Sequence, residues 1–284
     1  MAIIDGKKLK EKSFAELKLK LEKLDRKLGL AVIQVGEDFA SEVYVKQKEK
    51  MALELGYNFK HIKMRNSCLE EDVLDLIDKL NEDPFIDGIL VQLPLPIKFN
   101  VNVILNRILP HKDVDGLSDY NKKMLDEGRD GLYPCTPLAI VSILNYYNVK
   151  VKDSKVVVVG RSELVGKPVT KLLIRLGARV EVCHSKTSNL TSYTKEADIL
   201  IVAVGKALLI TKDMVKDGAV VIDVGINRVD SKVCGDVDFL NVAEICSYIT
   251  PVPGGVGPMT IAELAKNVYR SYLLANDIQN DYNK

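Results

Sequence analysis

The sequence predicts an α/β protein with two domains. Helical and strand patterns alternate from end to end. At 284 residues the chain has room for two domains of about 150 each. In the second half, valine- and isoleucine-rich strands recur at intervals of about 20 residues. With 47% hydrophobic and 28% charged residues, the composition is that of a globular chain, which excludes disorder, a collagen repeat and a disulfide scaffold.

Residues 7–27 carry Leu9, Phe14, Leu17, Leu21 and Leu24 at helical spacing. The many lysines of this helix interleave with Glu11, Glu16 and Glu22 and read as a solvated face. Residues 31–35 read as a short buried strand, 41–55 as a helix, and Ile62 and Met64 as part of a second strand. Ser67, with Glu70 three residues on, has the form of a capping box opening a helix through Leu80. Residues 86–93 make a near-continuous apolar strand stopped by Pro94 and Pro96. The polar, turn-rich stretch 111–136 reads as a linker, after which Thr136 caps a helix with Pro137 in its first turn. Strands follow at 156–159, 179–183, 199–204 and 220–224 in a Rossmann-like rhythm. Thr260 and Glu263 form a second capping box that opens the final helix.

Several function classes are disfavoured at once. Forty basic against 39 acidic residues leave a net charge of +1, so no nucleic-acid footprint is expected. The longest apolar runs fall far short of the roughly 20 residues a membrane span needs. Five scattered cysteines without a CxxC pair suggest reduced thiols in a cytoplasmic protein. The lysine-bearing start of the chain carries no signal-peptide core. Three dispersed histidines make a metal site unexpected.

Four features carry possible chemistry. After the strand at 156–159 comes Gly160-Arg161-Ser162-Glu163-Leu164-Val165-Gly166, then a helix. A strand, a glycine-containing turn and a helix N-terminus present backbone N–H groups to a pyrophosphate. Ser162 stands in place of the middle glycine of GxGxxG and the last glycine comes one residue late, so a plain tight turn is the alternative. The next strand ends in His184-Ser185-Lys186-Thr187, with no acid to grip a ribose 2′-hydroxyl. Arg161, Ser185 and Lys186 could instead bind a 2′-phosphate, which favours NADP over NAD; alternatively Ser185 and Thr187 cap the next turn.

The second feature is a lysine on an apolar stripe. Tyr44, Lys48, Met51 and Leu55 share one helix face, whereas Lys46, Glu49, Lys50 and Glu54 lie elsewhere. A free lysine titrates near 10.4 and would have to fall to about 7 to act near neutrality, a shift that burial can supply. The alternative is an amine that snorkels to water. Third, Gln92 lies near the carboxyl end of an apolar strand, where open α/β sheets bind ligands, and Asp115 sits in the loop Lys112-Asp113-Val114-Asp115-Gly116. Their structural alternatives are a local backbone bond and an Asx turn. Fourth, Thr250-Pro251-Val252-Pro253-Gly254-Gly255-Val256-Gly257-Pro258-Met259-Thr260 is stiff and open to close backbone approach, and is a candidate for a cis X-Pro bond.

Taken in order, these stretches resemble the bifunctional methylenetetrahydrofolate dehydrogenase / methenyltetrahydrofolate cyclohydrolase family (the FolD family). The matching segments are Tyr44-Val45-Lys46-Gln47-Lys48, Val91-Gln92-Leu93-Pro94-Leu95, Lys112-Asp113-Val114-Asp115-Gly116, Pro134-Cys135-Thr136-Pro137, Val158-Val159-Gly160-Arg161-Ser162, Cys183-His184-Ser185-Lys186-Thr187 and the Pro251 to Thr260 loop. The resemblance implies oxidation of 5,10-methylenetetrahydrofolate with NADP+, then hydrolysis of the methenyl product to 10-formyltetrahydrofolate. Such an activity belongs to one-carbon metabolism and serves purine and amino-acid biosynthesis. It further implies Lys48 as the acid/base group of ring opening, Gln92 as its hydrogen-bonding partner, and Tyr44 stacked on the folate's aminobenzoyl part. Asp115 would hold the pterin, with Pro253, Gly254 and Gly255 lining the substrate's place. Gly160, Arg161, Ser162, Gly166, Ser185, Thr187, Ile226 and Thr260 would hold the cofactor. A homodimer is implied, as is a cleft between an N-terminal catalytic domain, 1–136 joined by a final helix at about 261–284, and an NADP-binding domain, 137–260. A shikimate dehydrogenase-like enzyme, which also pairs a lysine with an aspartate, is the nearest alternative; the proline–glycine loop argues against it.

Overall fold

The computed structural model describes residues 2–230 and 232–276. Two compact units emerge, one from Met1–Lys12 and Thr136–Thr260, the other from Ser13–Cys135 and Ile261–Lys284. Strand β1 (Ala2–Ile3) and helix α1 (Gly6–Leu21) open the chain. The first twelve residues therefore group with the later unit, where the sequence reading had placed them in the earlier one. The reason is backbone pairing: Ala2 and Ile3 lie parallel to Tyr248 and Ile249, and the Gly6 N–H donates to the Gly254 carbonyl at 3.0 Å. Helix α1 ends at Leu21 rather than at 27 because the chain turns to pair Arg26 with Asp87, at 2.9 and 2.6 Å.

The unit centred on Ser13–Cys135 holds β2 (Gly29–Val35), α2 (Phe39–Leu55), β3 (Asn58–Met64), α3 (Glu70–Glu82), β4 (Gly88–Val91), α4 (Val101–Arg107) and α5 (Asp119–Glu127). Its three strands run parallel in the order β3-β2-β4. Every residue of β2 and β4 is buried, which accounts for their unbroken apolar character. Ile33, Ile77, Ile89 and Ile104 are among the residues that fill the core against α3 and α4.

Two expectations fail in this unit. Ser67 does not cap α3. Its N-cap is Leu69, whose N–H donates to the Asp72 carboxylate at 2.8 Å, while Glu70 accepts from the Asn100 N–H. The stretch 111–136 is not a loose linker either. It carries α5, and Asp113, Val114, Asn121, Leu125 and Leu132 are buried. Polarity misled here because its polar side chains bond inward: Asn121 donates to Pro110 and Asp113 and accepts from the Leu132 N–H.

The unit centred on Thr136–Thr260 holds α6 (Cys135–Tyr146), β5 (Lys155–Val159), α7 (Gly166–Arg175), β6 (Arg179–Cys183), α8 (Leu190–Thr194), β7 (Ile199–Val202), β8 (Val220–Asp223), the hairpin β9 (Asn227–Val229) with β10 (Lys232–Cys234), α9 (Phe239–Val242), β11 (Tyr248–Ile249) and the start of α10 (Val256–Ala275). Cys135 of α6 and the part of α10 from Ile261 onward belong to the other unit. Six parallel strands run in the order β1-β11-β8-β7-β5-β6. From β5 the chain winds outward to β6, then crosses back to β7 on the other side, so a topological switch point lies at the carboxyl end of β5.

Neither threonine cap holds in this unit. Helix α6 begins at Cys135, one residue before Thr136, and α10 begins at Val256, so Thr260 and Glu263 lie inside it. The Thr260 hydroxyl donates back to the Val256 carbonyl, and Glu263 pairs with Lys266. Residues 277–284 of the expected final helix lie outside the described residues. No helix among the described residues is long and apolar enough to cross a membrane.

Candidate active site

Helix α2 is fixed at both ends. The Asp38 carboxylate accepts from the Ser41 N–H at 2.7 Å, and Gly56, at φ +76°, closes the helix by donating back to Ala52 and Leu53. Val45, Met51, Ala52 and Leu55 are buried, while Lys46, Glu49, Lys50 and Glu54 are exposed. Between these faces lie Tyr44, 38% exposed, and Lys48, half-buried as a side chain but with its amine enclosed by protein. The Lys48 Nζ donates to Gln92 Oε1 at 2.5 Å. It does not snorkel.

Gln92 follows β4 directly and is 8% exposed. Its Nε2 donates to the Leu93 carbonyl at 2.7 Å, which leaves its oxygen turned to Lys48. Burial lowers the Lys48 pKa from the ordinary 10.5, and the opposing pull of Asp115 is the lesser effect. A neutral amide is the partner that permits this, since a carboxylate at the same place would favour the ammonium form.

Asp115 is brought to the same end of the sheet by a parallel bridge between Ile89 and Asp113, sealed by the Ile89 N–H on the Lys112 carbonyl at 2.8 Å. The charged residues of this loop divide their work. Lys112 donates to the carbonyls of Leu80, Asn81 and Asp83 at the end of α3. The Asp113 carboxylate accepts from Leu117 N–H, Ser118 N–H and Asn121 Nδ2 at 3.2, 2.8 and 2.9 Å. Asp115 forms no Asx turn. Burial, with some repulsion from Asp113, pushes its pKa up against the pull of Lys48 and the influence of the neighbouring Cys135 thiol. That thiol is pushed well up in turn, by burial and by Asp115. Lys48, Gln92 and Asp115 are thus gathered around the carboxyl ends of the parallel strands.

Cys135 is a neighbour of this group to which sequence reasoning gave no role; its only signal was the motif Pro134-Cys135-Thr136-Pro137. Asn267 on α10 was also missed. Its Nδ2 donates to the carbonyls of Val114 and Tyr133, both at 2.9 Å. Its signal was a polar residue on a helix face with Leu264, Val268 and Ser271, the same kind that singled out Lys48.

In the unit centred on Thr136–Thr260, Gly160 follows β5 at φ +127°, and a Cβ there would stand 2.3 Å from the Ala203 carbonyl oxygen. A Cβ on Gly166 would meet the Gly160 oxygen at 2.3 Å, so α7 can start this close to the strand only with glycine. The Ser162 hydroxyl accepts long bonds from Val165 and Gly166 N–H, at 3.3 and 3.4 Å. Val159 pairs with Cys183, so Arg161 and Ser185, both exposed, each lie two residues past the paired strand ends. Thr187 caps its own turn, accepting from the His184 N–H at 2.9 Å, whereas no such bond involves Ser185. Ile226 is 57% exposed just beyond β8.

Two buried carboxylates shape the neighbouring loops. Asp223, pushed up to about 6 by burial and by Asp236, accepts from the N–H groups of Gly225, Asp236 and Val237. Asp236 accepts from Val204, Gly205 and Lys206 N–H and from Asn227 Nδ2. The proline–glycine loop contains a cis Val252–Pro253 bond. Pro253 is exposed, and Gly254, at φ +109°, has open space where a Cβ would be. Gly255 is closed in, 2.6 Å from the Thr250 Cβ.

Comparison with known proteins also divides the chain in two. Residues 4–115 match the tetrahydrofolate dehydrogenase/cyclohydrolase catalytic domain, and 134–276 match the NAD(P)-binding domain of the same family. The bifunctional protein FolD of Halalkalibacterium halodurans is 50% identical over 272 residues, covering 95% of this chain and 98% of that one. The Campylobacter jejuni bifunctional FolD structure superposes with a TM-score of 0.95 at 44% identity, covering 97% and 99% of the two chains. The Trypanosoma brucei enzyme, solved with NADP and an inhibitor, gives 0.92 at 33% identity, covering 97% and 98%. Shikimate dehydrogenase from Aquifex aeolicus reaches 0.54 at 13% identity over 91% and 96%, a likeness of fold alone.

The split within the Lys112–Gly116 loop is testable. Asp113→Ala removes the acceptor of three buried donors and should lower the unfolding free energy by about 3 kcal/mol in urea titrations. Asp115→Ala should change it by less than about 1 kcal/mol. Equal losses would contradict the division of roles.

Proposed function

The chain belongs to the tetrahydrofolate dehydrogenase/cyclohydrolase family, and from that premise we propose how its residues divide the work. The enzyme oxidises 5,10-methylenetetrahydrofolate to the methenyl form and hydrolyses that to 10-formyltetrahydrofolate. The nicotinamide cofactor, when bound, accepts the hydride of the first step. What remains for the protein is to hold two ligands and to move protons in the second step.

Lys48 is the acid/base group. With its pKa lowered by burial, it offers a neutral amine to the water that adds to the methenyl carbon. As the ammonium it can then return a proton to N5 when the carbon–N5 bond breaks. A neutral amine also spares the cationic methenyl ring a like charge. Gln92 orients the amine through its oxygen without stabilising the ammonium as a carboxylate would. Asp115 holds the pterin, whose adjacent N–H donors match a carboxylate. Its freedom from backbone bonds supports this, Asp113 having taken them. The partly exposed ring of Tyr44, one turn before Lys48, stacks on the aminobenzoyl part. In the other unit, the loop of Pro253, Gly254 and Gly255 leaves room at Gly254 for close approach of a ligand to the backbone.

The residues after β5 and β6 fit a dinucleotide with a 2′-phosphate. The turn from Gly160 to Gly166 has the close strand–helix approach of a phosphate loop, and Ser162 can turn its hydroxyl proton to an anion. Arg161, Ser185 and Lys186 are exposed past the strand ends, with no carboxylate at 184–187 to repel phosphate. Thr187, Ile226 and Thr260 complete the cofactor set, Thr187 mainly by shaping its turn. The cofactor is accordingly NADP. The same reading takes the protein as a cytoplasmic homodimer.

The observation that carries this function is the Lys48–Gln92 contact beside Asp115. Lys48→Met should cut methenyltetrahydrofolate hydrolysis by at least about a thousandfold in a stopped assay of ring opening. The affinity for NADP, read by fluorescence titration, should stay within about twofold; unchanged hydrolysis would refute the role of Lys48. For the cofactor, Arg161→Ala should raise the NADP dissociation constant by about tenfold or more and leave that for NAD nearly unchanged. Equal losses would mean that the 2′-phosphate is not read there.

A further inference from the structure

Asn267 is a buried amide, 2% exposed, on a buried face of α10 beside Leu264, Val268 and Ser271. Its one NH2 group has two hydrogens, and two carbonyls lie at 2.9 Å, those of Val114 and Tyr133. These belong to two separate loops. Val114 immediately precedes Asp115, and Tyr133 lies two residues before Cys135, whose thiol donates to the Val114 carbonyl at 3.4 Å. The loops also meet on the far side of Asp115. Gly116, at φ +67°, approaches so closely that a Cβ would stand 2.5 Å from the Tyr133 carbonyl carbon.

Asp115 is therefore pinned on both flanks, by a hydrogen-bond clamp at Val114 and by a steric stop at Gly116. Gly116 sets how close the loops come, while the clamp sets the plane of the Val114–Asp115 peptide and so the direction in which the carboxylate leaves the backbone. We infer that Asn267 is a positioning residue for the folate-binding carboxylate, acting through the Val114 and Tyr133 carbonyls and not by contact with ligand. The inference rests on Asp115 as the folate contact, as argued above. Leu264 and Val268 beside it are aliphatic, so packing alone does not call for an amide at 267. The chemistry also fixes the residue type. A carboxylate would turn oxygens toward two carbonyl oxygens, and a hydroxyl has one hydrogen for two acceptors.

A double-mutant cycle tests this. Asn267→Ala should raise KM for 5,10-methylenetetrahydrofolate by about tenfold and leave KM for NADP+ within about twofold. On an Asp115→Ala background, the same substitution should add less than about twofold. A general weakening of the fold would move both KM values together and would add fully to the Asp115→Ala defect; either result overturns the inference. Asn267→Ser, which keeps one donor, should fall between wild type and alanine and stands in for alanine in the cycle if that variant does not fold. An Asp115→Ala enzyme with unchanged folate KM would instead overturn the assignment of Asp115. Additivity alongside an Asp115→Ala defect would overturn only the role of Asn267.

Discussion

An amine held away from water by a neutral partner is the constraint around which the catalytic unit is arranged. Loss of hydration is the largest influence on the charge of Lys48 and acts against the upward pulls of Asp115 and Cys135. The contrast with Lys63 is instructive. That lysine lies in the open, 2.7 Å from Glu42 on the same helix as Lys48, and its pKa moves upward because a carboxylate is its hydrogen-bond partner. Gln92 gives Lys48 geometry without that upward pull. Three pieces of structure set the arrangement: capped ends on α2, the exit of β4 into Gln92, and the Ile89–Asp113 bridge that carries Asp115 alongside.

The loop around Asp115 shows how one short segment separates framework from function. Lys112 and Asp113 are saturated with hydrogen bonds to the protein, the former to three carbonyls and the latter to three donors. Asp115 is held in place by its backbone and keeps its carboxylate for other partners. In the other unit Asp223 and Asp236 play the framework part. Between them they take seven donors from the loops around Ile226 and Gly205. Buried carboxylates shape both sites, and only the one without backbone donors is assigned to ligand.

Much of this was legible in the sequence, for identifiable reasons. The strands β5, β7 and β8 stood out because parallel strands buried on both faces read as unbroken apolar runs, whereas β6, an edge strand carrying Arg179 and Glu181, was legible from the spacing of the strands. Lys48 stood out because a charge on an apolar helical stripe costs energy unless it is used. The linker at 111–136 misled because local polarity does not reveal where side chains point; Asn121 and Asp113 bond inward. The pairing of Ala2 and Ile3 with β11 was invisible because a two-residue strand has no periodicity, and its partner lies about 245 residues away. The caps assigned to Ser67, Thr136 and Thr260 failed because a residue pattern marks a region within a turn or so, while the first helical residue depends on which carboxylate reaches which amide. Asn267 was hidden for a further reason: its partners are backbone carbonyls, which leave no trace in residue identity.

The most direct test of the buried amine is its titration. With lysine side chains isotopically labelled and Lys48 assigned by its loss in Lys48→Met, NMR follows the Lys48 resonance across pH in the free enzyme. A midpoint clearly below the ordinary 10.5 is the expected result, rising when Gln92 is replaced by glutamate. A midpoint at or above that value in the unaltered enzyme would mean that the amine is charged whenever water must be activated, and Lys48 could not be the base.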